Sequence, residues 1–176
     1  MKYLQYIWIV VAVVFTQCTT SSLPSVRVDY DKDADFSAYK TFNWSGEIDK
    51  QGDKHPILDN SLVRKRIKNA IASELEGRGY ELSENPDLLV NFHMIIEEKT
   101  GYTTIPSYSY WRRDDIRPYN YKEGMLIIDL VDRRKNQLVW QGYTGGIAHQ
   151  NPEKMEERIR SAISLIFQQY RHRAGA

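Results

Sequence analysis

Two stretches of this chain repeat apolar residues at the pitch of an α-helix, and each is apolar on one side only. Val63, Ile67, Ala70, Ile71 and Leu75 fall on one face of the segment that begins at Ser61, with Arg64, Lys65, Lys68 and Glu76 on the other. Met155, Ile159, Ala162, Ile163, Ile166 and Tyr170 form a second stripe near the C-terminal end. Asp59 or Asn60 supplies a cap for the first helix, and Gly77 and Gly79 permit a left-handed ending. Asn151 and Pro152 supply the start signals of the second. A one-sided helix needs an apolar layer to cover its stripe, so both stripes require a surface supplied by the rest of the chain.

That surface comes from segments with a period of two. Val26, Val28 and Tyr30 alternate with Arg27 and Asp29, and Phe42 and Trp44 repeat the pattern. From Asp87 to Glu98 the chain is too β-branched and too evenly apolar for a surface helix. As a strand it sets Leu88, Val90, Phe92, Met94 and Ile96 on one face, and Leu89, Asn91, His93, Ile95 and Glu97 on the other. Gly124–Asp132 and Gln137–Gly145 flank a short polar turn and predict a hairpin. The order is β-β-α-β-β-β-α. The predicted fold is an α+β two-layer sandwich, with a mostly antiparallel sheet of about five strands and both helices on one face. The far sheet face is then half apolar and half polar.

The first 17 residues are set apart. Lys2 precedes an apolar run from Leu4 to Phe15, and Thr16-Gln17 lead into Cys18, the only cysteine of 176 residues. About a dozen apolar residues are too few to cross a bilayer core, which takes about 20, but they suit a signal-peptide core. A lone cysteine at such a boundary resembles the lipobox of bacterial lipoproteins, although Phe15 and Gln17 stand where that box prefers Leu and a small residue. The resemblance implies a lipid on Cys18 and membrane attachment through it; the alternatives are an ordinary secretory peptide with an incidental thiol, or an uncleaved anchor. Thr19, rather than Asp, after the cysteine implies the outer membrane by the same resemblance, and the tether carries no acidic run for surface display. The expected organisation is a signal peptide (1–17), a lipidated cysteine and flexible tether (18–24), one domain (25–171) and a disordered tail (172–176). The domain is expected to face the periplasm.

Charge removes one class of partner. Residues 1–17 hold one of the 24 basic residues and none of the 23 acidic ones, so the remainder is balanced. A nucleic-acid binder needs a basic face, and none is expected here.

The catalytic and metal motifs are absent or incomplete. Asp31, Asp33 and Asp35 match the first ligands of an EF-hand, but Phe36 stands where the loop needs Gly and Phe42 where it needs a bidentate Glu. His55, His93, His149 and His172 have no second ligand at zinc spacing. No phosphate cradle or nucleophile elbow appears. His93 and Asp129 can meet across neighbouring strands, but a dyad without a nucleophile makes no site. The expectation is a non-enzyme without cofactor or metal.

One stretch has the composition of a recognition surface. Thr100–Gly124 joins two strands, which predicts a long loop, and it holds Tyr102, Tyr108, Tyr110, Trp111, Tyr119 and Tyr121 with Arg112, Arg113 and Arg117. Tyr, Trp and Arg dominate binding hot spots, and the same residues also serve as a flap folded onto an apolar sheet.

The strings Asp35–Trp44 (DFSAYKTFNW) and Leu138–Gly142 (LVWQG) resemble the domain-of-unknown-function 4136 family, with likeness over about residues 25 to 170. The resemblance implies an envelope lipoprotein with an α+β domain and carries no functional residue. The expected function is a binding or structural module of the envelope with a protein partner. The alternatives are a carrier for a small, partly apolar ligand and an unrecognised hydrolase.

Overall fold

The structure, a computed structural model, describes residues 26–46, 59–105, 115–147 and 152–176. In chain order the elements are β1 (Arg27–Tyr30), a 3-10 turn (Phe36–Ala38), β2 (Thr41–Trp44), α1 (Ser61–Glu76), β3 (Glu81–Leu82), β4 (Leu88–Ile105), β5 (Asp115–Asp132), β6 (Gln137–Thr144) and α2 (Pro152–Gln168). The α+β sandwich expected from the sequence is the fold. Its sheet has six strands in the order β1-β6-β5-β4-β2-β3, the sixth being the two-residue β3. The sheet is mixed. β4, β5, β6 and β1 run antiparallel, while β2 lies parallel to both β4 and β3. A parallel neighbour needs a long crossover, and α1 lies on the path from β2 to β4.

The buried residues of both helices and of one sheet face form a single core. It contains Ile67, Ile71 and Leu75 of α1, Ile159, Ile163 and Ile166 of α2, and Leu88, Val90, Phe92, Leu126, Ile128 and Leu130 of the central strands. The predicted α2 stripe is buried throughout. Asn60 caps α1, its side chain accepting from the backbone N–H groups of Leu62 and Val63. Arg64, expected on the solvent face, is instead buried and paired with Asp59 at 2.8 Å. At the end of α1, Gly77 stays right-handed and Gly79 makes the left-handed turn, with φ of 88°.

Trp140 of β6 stands at the centre of an aromatic group, its ring 5.7 Å from Phe167 and 5.2 Å from Tyr170. Gly142 makes this fit possible. A Cβ there would lie 2.5 Å from the Trp140 ring and 2.6 Å from Ile166. Residues 172–176, expected as a disordered tail, pack on the domain. His172 stacks on Phe36 at 3.8 Å, and the backbone N–H of Gly175 donates to the Tyr39 carbonyl at 3.2 Å.

Two carboxylates brace one end of the strands. Asp87 accepts from the N–H groups of Lys40 and Thr41 and from the Thr41 hydroxyl, joining the start of β2 to the residue before β4. Asp132 is buried and accepts from the Tyr39 hydroxyl at 2.9 Å and from the N–H groups of Arg134 and Lys135 in the β5–β6 turn. Burial opposes ionisation at both, but these donated bonds outweigh it and hold both carboxyls below the usual range.

Candidate functional site

The stretch Thr100–Gly124 is largely not a loop, which corrects the sequence reading. β4 runs on to Ile105 and β5 begins at Asp115, in unbroken register from Leu88↔Asp132 to Ile105↔Asp115. Tyr102, Thr103, Thr104, Tyr119 and Tyr121 have the high strand propensity that extended pairing uses. Tyr108, Tyr110, Trp111, Arg112 and Arg113 lie outside the described residues, as does Cys18.

The ribbon outgrows the sheet. β2 matches β4 only as far as Val90, and β6 matches β5 only back to Leu126. Beyond those points β4 and β5 continue as a two-stranded arm. Residues opposite each other share a face, so Lys99, Gly101 and Thr103 lie with Tyr121, Tyr119 and Arg117. Tyr102 and Ile116 lie on the other face.

Gly101 sets the geometry of the first face. The Tyr119 ring lies across it so closely that a Cβ on residue 101 would come within 2.6 Å of the ring. A cross-strand aromatic thus covers the bare glycine backbone. Tyr121 stands 5.8 Å from Tyr119 in a tilted pair. Lys99 is ion-paired with Glu123, and this carboxylate raises the lysine pKa. Thr100 donates its hydroxyl to the Asn120 side chain at 3.2 Å. The rings are held laterally but not covered. Tyr102 is 72% exposed, Ile116 65%, Tyr119 51% and Tyr121 42%. Among the described residues none of these side chains folds back onto the sheet as a flap.

The same sheet face continues inward to a polar group that spans three strands. His93 Nε2 lies 3.0 Å from Asn91 Nδ2 and 3.5 Å from Asp129 Oδ2, and Gln141 donates to Asp129 Oδ1 at 2.7 Å. The predicted meeting of His93 and Asp129 is therefore present. The short contacts, however, run from amides to the imidazole and to the carboxylate. That pattern satisfies the polar groups of an open sheet face and adds no nucleophile to the dyad.

An open groove of about 550 Å³ lies between the helices. Glu156 in its wall bonds both Arg66 at 3.2 Å and Arg160 at 2.8 Å. Its lining is charged and hydroxylated, and it is separate from the ribbon. Among the described residues no cluster of three or more His, Cys, Asp or Glu could hold a metal, and no helix is long and apolar enough to cross a membrane.

Among solved structures the chain is similar to a PDZ domain protein from Parabacteroides distasonis, with 17% identity and a TM-score of 0.55. The match covers 83% of this chain and 35% of that one, so the chain spans about a third of that protein's length. Two PelC dodecamer structures from Paraburkholderia phytofirmans are also similar. Their identities are 10% and 9%, with TM-scores of 0.46 and 0.45; the matches cover 82% and 86% of this chain and 94% and 99% of theirs. No curated protein matches. At these identities the likeness to solved structures extends to the fold alone. A family model described as a domain of unknown function, DUF4136, matches residues 26–170, and the chain belongs to that family.

Proposed function

We propose that this protein is a non-catalytic binding module of the bacterial envelope, held at the periplasmic side of the outer membrane by a lipid on Cys18. The β4–β5 ribbon is its contact surface for an envelope protein. One observation supports this above the others. Tyr102, Tyr119, Tyr121 and Ile116 are presented on a paired ribbon with 42–72% of their surfaces exposed. The Tyr119 and Tyr121 rings, held against each other, lose little rotamer freedom on binding, and tyrosine is enriched among the residues that dominate protein contacts.

Cross-linking in living cells, followed by gentle solubilisation and capture of the full chain, tests the contact. Tyr119→Ala with Tyr121→Ala is expected to leave a folded protein that no longer recovers its partner. Recovery of the same partner by this folded variant, or of the protein alone by the wild type, would overturn the proposal. Native mass spectrometry of the solitary protein would then test the carrier alternative. Cys18→Ser is expected to release the chain from the membrane and to remove the mass of the lipid. A membrane-bound variant of unchanged mass would refute the anchor.

A further inference from the structure

The two long edges of the ribbon are not equivalent. Antiparallel strands point the N–H and C=O of alternate residues towards one neighbour and then the other. Ser45 N–H donates to the Val90 carbonyl at 2.8 Å, so even-numbered residues of β4 face its outer edge. The register has no shift, and this assignment therefore holds for Phe92, Met94, Ile96, Glu98, Thr100, Tyr102 and Thr104. On β5 the even-numbered residues face outward by the same rule, and Ile147 N–H donates to the Gly124 carbonyl at 3.1 Å. Pro118 is one of these outward residues, paired with Tyr102. Proline has no N–H to offer, so the β5 edge is blocked near its middle. The β4 edge carries no proline from Phe92 to Thr104, and among the described residues no strand pairs with it there. Natural sheets blunt edges that must stay single. Among the described residues, proline removes a donor from the β5 edge, whereas the β4 edge keeps every outward N–H.

We propose that the open β4 edge pairs with the β4 edge of a second copy of this chain, antiparallel, about a two-fold axis at Thr100. The inference does not rest on the partner contact proposed above, because it uses backbone groups rather than the aromatic faces. Self-complementarity favours a second copy and is met by this register. With the axis at Thr100, Thr100 opposes itself, Glu98 opposes Tyr102, Ile96 opposes Thr104, Lys99 opposes Gly101 and Glu97 opposes Thr103. No like charges meet. An axis at Glu97, Glu98 or Lys99 sets a charge against its own copy, and an axis at Gly101 shortens the overlap.

The blocked β5 edge determines closure. Head-to-tail pairing of β4 on β5 would propagate into a fibre, and Pro118 removes a donor that such pairing requires. Pairing β4 with β4 consumes both open edges and stops at two copies. Ile96, the last β4 residue packed against the core, is four residues from Thr100, roughly 13 Å along a strand, so the two cores lie on opposite sides of the axis.

Sedimentation of the full chain in mild detergent tests this, together with two kinds of variant. The wild type is expected at twice the protomer mass. Thr100→Pro removes an outward N–H and one exposed side-chain hydrogen bond to Asn120, and no bond of the β4–β5 ladder, so it is expected to keep its circular dichroism and to sediment as one protomer. Thr100→Cys is expected to form a covalent dimer on oxidation, whereas Glu98→Cys does not, because residue 98 opposes residue 102. The parent chain, with Cys18 alone, is the control. If Thr100→Pro fails to fold, the cysteine pair decides. A wild type of one-protomer mass, a folded Thr100→Pro that remains dimeric, or equal cross-linking at residues 98 and 100 would overturn the proposal. So would a monomer whose β4 edge takes an extended segment of a different protein.

Discussion

Truncating Asp132 to alanine removes one carboxylate that holds three donors. Two are the turn N–H groups of Arg134 and Lys135, at 2.8 and 3.0 Å. Water can reach the turn once the side chain is gone, so each lost bond costs about 1 kcal/mol. The third donor is the Tyr39 hydroxyl, at 2.9 Å from Oδ2 in a residue only 2% exposed. Stranding it adds about 1–2 kcal/mol, for a total of about 3–4 kcal/mol. At about 2–4 °C per kcal/mol for a domain of this size, the midpoint should fall by about 10 °C. Asp132→Asn keeps an oxygen for the turn and is expected to lose about half as much. Thermal unfolding followed by circular dichroism measures both. Tyr39→Phe supplies the internal check, because it should cost less in the Asp132→Ala background than in the wild type. If the alanine variant melts within about 2 °C of wild type, or the two changes add fully, the hydrogen-bond argument is refuted.

Acid should destabilise the domain through the same groups. The carboxyls of Asp132 and Asp87 are held below their ordinary value of 3.8, so the folded state binds fewer protons than the unfolded state as pH falls past that value. Their stabilisation is complete above about pH 4 and is lost as pH falls through the folded values, and Asp132→Ala should flatten this acid limb in a melting-point series. Gly142→Ala should cost about 1–3 kcal/mol, because the new methyl group must displace Trp140 and Ile166. Pairing it with Ile166→Ala should cost less than the sum of the single changes, and full additivity in denaturant titration would count against the crowding. Gly101→Ala should drive the Tyr119 ring off the ribbon and raise its exposure, read as faster iodination of that tyrosine. Tyr102→Ala, on a side chain 72% exposed, should change stability by less than about 0.5 kcal/mol, and a larger loss would mean that the ring is packed.

Most of the layered architecture is legible in the residues, because burial follows local pitch. The Met155–Tyr170 stripe and the alternation from Leu88 to Phe92 identify their buried faces without reference to any neighbour. Arg64 escapes such reasoning, since a charge at a helical position is buried only when a partner such as Asp59 arrives beside it. The ribbon escapes it for a different reason. From Glu97 to Thr104 and from Ile116 to Lys122 the strands are exposed or nearly so on both faces, and a strand with no buried face has no alternation to detect. The signal available was the run of Thr and Tyr residues, which the glycine at 101 and the proline at 118 obscured.

The sequence alone determined both helices, the strands that build the core and which of their faces are apolar, because those follow from the 3.6- and two-residue periods of the backbone. It also carried the family likeness that the match over residues 26–170 upholds. Only the tertiary structure decided that β2 lies parallel to β4, that Tyr119 and Gly101 meet across two strands, and that Pro118 faces the outer edge of the ribbon while, among the described residues, no strand pairs with the β4 edge beyond Val90. Each of those depends on register between segments distant in the chain, and register is set by pairing that no local pattern contains.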